Sequence, residues 1–371
     1  MVKTAKQPDY ILLATIAILI VSGIVILASV SASFSQEKFG TTYYLLKHQL
    51  LFGLIPGLIL ALIMYRINLS FLKKWAPVLL LINLALMVMV FLPVIGSSSE
   101  GAARWIGLSS FSFQPSELLK LTFILYLAAW LTSRTEKGVL IKKTNEFSQT
   151  FTVFLIVVAV VSLILYFQSD VSTLVIIISV AALMYFSVNT PLWHSLLIIL
   201  IGSGGLFFLI KIAPYRVNRF LVFFNPDLDP MGIGYQLKQA LIAVGSGGIG
   251  GVGLGMSIQK LGFLPQIISD SIFAVFSEET GFIGSFILIF LFLMFLWRGF
   301  KIAKESQNKF LKLTALGITS WIVIQSFVNI GAMIGISPLT GIPLPFISYG
   351  GSALIVELIG VGILLNISKN K

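Results

Sequence analysis

The sequence contains no cysteine among its 371 residues, so neither disulfides nor thiolate metal sites contribute. Histidine is almost as scarce: His48 and His194 stand far apart and form no ligand pattern. Charge is the third shortage. Only 11% of residues are charged, where a soluble protein carries about a quarter. A large core does not account for the deficit, because the surface of a soluble chain this long would still demand polar groups. What is present is apolar: 57% of residues are hydrophobic, in runs of about 20, the length that crosses a bilayer. In hydrocarbon every backbone amide must be satisfied internally, which leaves helices or a closed barrel. Barrel strands alternate apolar and polar residues, and the run FILIFLFLMFLW at 286–297 does not. The chain is expected to be an all-α polytopic membrane protein.

About ten spans are expected, each near the roughly 20-residue bilayer length: 10–31, 45–65, 75–95, 114–132, 150–168, 171–188, 192–212, 272–297, 313–335 and 349–367. The first run is too long for the apolar region of a cleavable signal. Placing both termini in the cytoplasm puts most basic residues inside, among them Lys3, Lys6, Arg66, Lys73, Lys74, Arg134, Lys137, Lys142, Lys143, Arg298, Lys301 and Lys371. That topology accounts for the net charge of +11 without a nucleic-acid partner. It also puts three polar stretches outside, at 96–113, 168–170 and 337–351, together with one long segment, 211–271, between the seventh and eighth helices. Apolar residues, prolines and aromatics in that segment predict a folded loop within a single transmembrane domain, 1–371.

Fourteen acidic residues are few enough to weigh singly. Asp9, Glu37, Glu100, Glu136, Glu146 and Glu305 fall in polar connections and are expected on solvated faces. Ionisable groups within spans are costly and mark function by default. Glu117 and Lys120 are three apart and face one another, either as a structural ion pair or with Lys120 turned to an anionic substrate. Asp170, in QSDVST, suits a helix cap. Glu278 and Glu279 lie beside Gly281 and Gly284, where small residues permit close helix approach. Glu357 sits mid-helix with no nameable partner. Asp270 ends the long loop and precedes SIFAVF, as an N-cap or as a general base or metal-binding group. Arg104, Arg216, Arg219, Lys238 and Lys260 share its side, where cations grip a phosphate or pyrophosphate or touch headgroups. The glycine run 245–255 contains a literal G-x-G-x-x-G but follows no strand, so the dinucleotide reading fails. Close-packed or flexible backbone is its expected meaning. The turn NPDLDP at 225–230 is expected to be rigid.

Taken together, five stretches resemble the SEDS family, the FtsW/RodA/SpoVE type of bacterial cell-wall protein. They are GAARWIGL…FQPSELLK at 101–120, YRVNRFLVFFNPDLDPMGIGYQLKQALIAVGSGGIGGVGLG at 215–255, QKLGFLP at 259–265, DSIFAVFSEETGFIG at 270–284 and GISPLTGIPLPFISYGGSALI at 335–355. They run in order over nearly the whole chain. The resemblance implies a peptidoglycan glycosyltransferase that polymerises lipid II at the outer face of the bacterial cytoplasmic membrane, beside a class B penicillin-binding transpeptidase and other division proteins. The short SIQKLGFLP stretch resembles the FtsW type, and so septal synthesis, over the RodA elongation type.

The resemblance carries the essential aspartate to Asp270. It leaves Arg104, Lys120, Arg216, Arg219 and Lys260 as substrate-binding candidates, with Glu117, Glu279, Asp170 and Ser348 in support. A divalent cation, magnesium or manganese, is the one cofactor it brings; its ligands are not assigned. Gln266, Ile268 and Ser269 depart from the family's usual Pro-Glu and His-Thr, QSDVST from its Gln-Pro-Asp-x-Gly, and Glu357 is unexpected. On this reading Asp270 accepts the proton of a sugar 4-hydroxyl, while cations neutralise the departing pyrophosphate. A lipid II flippase would instead use charges spread through the bundle, and a scaffold would tolerate loss of Asp270.

Overall fold

The computed structural model describes residues 7–92, 96–99, 102–108, 111–136, 145–188, 190–212 and 214–370. Lys3, Lys6, Glu100, Lys137, Lys142, Lys143, Lys371 and the Glu146 side chain lie outside the described residues. Helix α1 runs Tyr10–Phe39, and α2 (Tyr44–Gln49) continues through a π-helical turn, Leu50–Leu54, into α3 (Ile55–Arg66). After α4 (Leu69–Met89) come three short strands, then α5 (Pro115–Glu136), α6 (Asn145–Phe167), α7 (Val171–Phe186) and α8 (Leu192–Ile212). The long segment contains α9 (Pro214–Phe224) and α10 (Ile233–Ser246). The chain ends with α11 (Ile272–Glu305), α12 (Lys309–Met333) and α13 (Gly351–Ser368).

Every apolar segment expected to span therefore coincides with helix, and seven helical stretches among the described residues are long and apolar enough to cross a membrane. Helix α5 falls outside those seven although it coincides with an expected span: Glu117 and Lys120 lie within it. Helix α7 falls outside because it has only 16 residues. The ends differ from expectation most in three places, one of them α4, which runs Leu69–Met89 against the expected 75–95. Helix α1 continues to Phe39, so Glu37 and Lys38 belong to its last turn, and α11 continues to Glu305.

Helices α12 and α13 form the centre. Leu, Ile and Gly positions all round them are buried, and Trp321 is fully enclosed, as expected of helices that are apolar on every face. Around them α1, α3, α4 and α11 bury one stripe and expose another, with Val21, Leu62, Leu81 and Phe286 more than half exposed. Such a surface is stable only against lipid. Small residues let backbones meet: a Cβ at Gly362 would lie 2.3 Å from the Ala61 carbonyl, so α13 packs directly on α3.

The 96–113 stretch, expected to be a loop, contains a three-stranded antiparallel sheet: β1 (Gly96–Ser99), β2 (Ala102–Leu108) and β3 (Phe111–Phe113). Gly96 pairs with Ile106 and Gly107 with Ser112. Trp105, Ile106, Phe111 and Phe113 in β2 and β3 favour pleated backbone.

Asp9 is not on a solvated face. It is 6% exposed, accepts the Leu12 N–H at 3.0 Å as the N-cap of α1, and pairs with Arg298 of α11 through Nε at 3.1 Å and through Nη2. Its own N–H donates to Ser368 of α13. The ends of α1, α11 and α13 converge there, so water is excluded and the charge is met by a guanidinium. Removing one partner strands the other. Asp9→Ala is expected to cost about 3 kcal/mol, read as a lowered thermal midpoint in detergent, and the Asp9→Ala/Arg298→Ala protein should lose less than the sum of the singles.

Helix α11 is two helices joined at Gly281, whose φ of 65° and ψ of −163° break the ladder. The glycine run fills the break. Val252 and Gly253 N–H donate to the Glu278 and Glu279 carbonyls at 3.0 Å, and Phe282 N–H donates to Gly248 O at 2.9 Å. A Cβ at Gly251 would lie 2.2 Å from Glu279 O. The run is thus close-packed backbone that satisfies a broken helix, which is how irregular backbone survives at membrane depth. Glu278 completes the clamp by accepting from the Ser257 hydroxyl and the Ile258 N–H.

Candidate active site

Asp270 lies one residue before the N-cap of α11. That cap is Ser271, whose hydroxyl makes no capping bond and accepts instead from Gln236 of α10 at 3.1 Å. The capping role considered for Asp270 is therefore not the one it has. Asp270 is only partly buried. Its backbone carbonyl is held by Asn329 Nδ2 at 2.8 Å, and its carboxylate lies against Gly341, where a Cβ would come within 3.4 Å of Oδ2. Gly341 has φ +70°, so a side chain there would strain the turn as well as crowd the acid.

The 337–350 segment organises everything around this acid. Pro338, Pro343 and Pro345 lack N–H groups and prevent regular structure, so the segment's polar backbone groups need side-chain partners. They come from five helices, including α2, whose Gln49 accepts the Gly350 N–H at 3.1 Å. Ser172 of α7 donates to Thr340 O, and Asn329 of α12 to Ile342 O at 2.7 Å. Gln325 donates to Pro343 O at 3.0 Å, and Arg219 of α9 to Leu339 O at 3.4 Å. Glu357 of α13 accepts the Phe346 N–H at 2.8 Å, which supplies the partner the sequence could not name. Phe346 has φ +64°, a conformation that costs an L-residue roughly 1–2 kcal/mol, so this buried carboxylate holds a strained corner. Ser348 then clasps the segment to the residues before Asp270: its hydroxyl donates to Ser269 O at 2.6 Å and accepts the Leu344 N–H at 2.8 Å. Tyr349 N–H donates to Ile268 O at 2.8 Å, and its hydroxyl is hydrogen-bonded to His48 Nδ1 at 2.9 Å. Burial, with a smaller push from Tyr44, raises the Tyr349 phenol to about 12.

The five candidate cations divide sharply. Lys120 is 2% exposed, pairs with Glu117 at 2.8 Å, reaches Gln325 Oε1 at 2.8 Å and lies 5.2 Å from the Trp321 ring centre. This is the structural ion pair that the spacing allowed: desolvation at this depth requires the charge to be neutralised within the bundle, and Glu117 does so. Lys260 is likewise 7% exposed and bound to Glu279 at 2.9 Å, with Ser29 bridging the same carboxylate. Its ammonium fastens the 257–268 segment to α1 and α11, which corrects its assignment as a free substrate grip. Arg104 donates to the carbonyls of Gln168 and Ser169 and fixes β2 to the turn before α7. There Asp170 caps α7, accepting from Thr173 N–H at 3.2 Å and from the Ser116 hydroxyl at 2.9 Å. Arg216 lies over Tyr166 and Tyr215, 5.5 and 5.2 Å from the ring centres. Lys238 pairs with Asp227 of the 225–230 turn.

Arg219 alone among the five is tied directly to the segment that faces Asp270. It spends Nη1 on Leu339 and keeps a buried Nε with no hydrogen-bond partner among the described residues, so it retains donors for an anion. Beside this assembly a cavity of about 520 Å³ opens between Ser33, Phe34, Glu37 and Lys38 of α1 and the 260–268 segment, ending two residues from Asp270. Its volume lies within the range of small-molecule sites, roughly 300–1,000 Å³. Among the described residues no three His, Asp or Glu side chains cluster as metal ligands, and no step is assigned to a cation.

Asn329, Gln325 and Gln236 were missed from sequence because only ionisable residues were weighed. The available signal was an uncharged amide inside an apolar span: a side chain that must find partners in hydrocarbon.

Residues 10–371 match the sequence profile of the FtsW/RodA/SpoVE family, described as cell cycle protein. The chain is 38% identical to stage V sporulation protein E of Bacillus subtilis over 98% of its length and 97% of that protein. It is 37% identical to a probable peptidoglycan glycosyltransferase FtsW of Geobacter metallireducens over 99% of its length and 96% of that protein. Among solved structures it resembles a chain of a peptidoglycan synthase complex that coordinates polymerization and crosslinking, with a TM-score of 0.77, 27% identity and 97% of both chains covered. It also resembles the rod shape determining protein RodA of Thermus thermophilus, with a TM-score of 0.71, 25% identity and 97% and 96% of the two chains covered. With the family profile matching residues 10–371 and relatives 37–38% identical over nearly their whole length, the chain belongs to the FtsW/RodA/SpoVE family.

Proposed function

We propose that this protein is a peptidoglycan glycosyltransferase that polymerises lipid II at the outer face of the bacterial cytoplasmic membrane, for septal wall synthesis. The observation that carries the reading is Asp270: a partly exposed carboxylate whose backbone carbonyl is fixed by Asn329 and whose Oδ2 lies against Gly341 of the 337–350 segment. A carboxylate so placed accepts the proton of the acceptor's 4-hydroxyl as its oxygen attacks the anomeric carbon of the lipid-linked chain. The C–O bond to pyrophosphate breaks as the new glycosidic bond forms, with inversion at that carbon. Arg219 meets the negative charge that builds on the leaving group.

The basic residues Arg66, Lys73, Lys74, Arg298 and Lys301 gather at the far ends of the helices from Asp270, which supports an external active face under the positive-inside rule. A transporter would need unspent charges through the bundle, and Glu117, Lys120, Glu279 and Lys260 are spent on one another. Kinship with a chain of a synthase complex that couples polymerization to crosslinking supports a class B penicillin-binding transpeptidase as partner. The purified chain, incubated with lipid II alone and with that partner, is expected to yield glycan strands on gels. Transbilayer movement of lipid II without any polymer would overturn the reading in favour of the flippase.

A further inference from the structure

At the end of the bundle opposite Asp270, a second cavity of about 440 Å³ lies along α4 and α5. Both walls follow one pattern: Ser70 to Pro77 on α4 and Tyr126 to Ser133 on α5 each line it at positions i, i+3, i+4 and i+7, one face of each helix. The walls are mainly apolar and aromatic, and the rim is cationic. Lys73 Nζ lies 3.4 Å from Glu136, Lys74 has no partner among the described residues, and the Arg134 guanidinium lies 6.0 Å from the Trp130 ring centre. Three cations thus meet one carboxylate. Beyond the rim, α4 presents exposed Trp75, Val78, Leu81 and Ile82, so the cavity opens onto the surface that faces lipid tails.

A soluble anion has no use for such walls, and snorkelling lysines alone would need no cavity between the helices. We propose that this cavity binds the phosphate of an anionic glycerophospholipid from the cytoplasmic leaflet. Lys73 and Lys74 hold the phosphate, the Ser70 and Ser133 hydroxyls lie along the same rim, and the glycerol and first methylenes pack on Tyr126 and Trp130. Basic pockets between helices on this side of a membrane suit such headgroups, and tryptophan and tyrosine suit that depth. Assignment to the cytoplasmic leaflet rests on the orientation proposed above; binding itself does not depend on it or on the glycosyltransferase reading.

The test is thermal unfolding of the detergent-purified full chain, titrated with short-chain phosphatidylglycerol, short-chain phosphatidylcholine and inorganic phosphate. Wild type should be stabilised by phosphatidylglycerol alone. Lys73→Gln/Lys74→Gln should bind it about tenfold or more weakly, the scale of one lost charge-assisted contact. Glu136→Gln should bind it more tightly, because a competing carboxylate is gone, and a damaged fold would not produce that gain. Equal binding by the double variant, weaker binding by Glu136→Gln, or equal stabilisation of wild type by either control would overturn the proposal.

Discussion

Asp270→Asn should leave an intact, membrane-inserted protein that polymerises lipid II at least about a hundredfold more slowly, the lower end of what a positioned general base contributes. The substitution is nearly isosteric, and the backbone carbonyl that Asn329 holds is unchanged, so the fold has no reason to respond. What disappears is an oxygen that can take a proton. Because the defect lies in the chemical step, turnover should fall while the apparent KM for lipid II stays close to that of wild type. Partner binding, read by co-purification of the transpeptidase, should also survive. A variant that polymerised at the wild-type rate would remove Asp270 from the mechanism.

The second large effect should come from a residue that touches no reacting atom. Asn329→Leu keeps the branched heavy-atom skeleton but removes the donor shared by Asp270 O at 2.8 Å and Ile342 O at 2.7 Å. Two carbonyls lose their partner at the point where the 337–350 segment meets the start of α11. A displacement of about 1 Å in a catalytic group costs on the order of a hundredfold in rate, and that is the loss expected in turnover. If Asn329 acts by positioning Asp270, the effects must not add. The Asp270→Asn/Asn329→Leu protein should polymerise no more slowly than Asp270→Asn alone. A double variant slower by the product of the two losses would mean that Asn329 serves catalysis independently of Asp270.

Both predictions depend on a cluster only half legible in the sequence. Asp270 was readable because an acid at the boundary of an apolar run is rare, and the family resemblance then gave it a role. Asn329 was not, because a single amide in SFVNIG becomes meaningful only when a second segment supplies carbonyls to hold. The cations show the opposite error. Lys260 looked available because sequence distance conceals partners: Glu279 is 19 residues from it, and Ser29, which bridges them, is 231 residues away. Lys120 was readable either way, and in the structure it pairs with Glu117. Arg219 could not be told from Arg216, three positions earlier, until α9 was placed against Leu339.

The sequence by itself determined the environment and the class of structure. Apolar runs with almost no charge can satisfy their backbone only as helices in lipid, and the few charges they carry must be paired or functional. The family motifs added the chemistry and its central acid. Tertiary structure decided which polar groups are spent on the fold and which remain for substrate, because that depends on contacts between segments distant in the chain. It also decided what the expected close-packed glycine run packs against, the break in α11, since only with both segments in place does the Gly251 backbone lie against Glu279. And it showed that a segment interrupted by three prolines gathers side chains from five helices beside one carboxylate, an arrangement that no local pattern encodes.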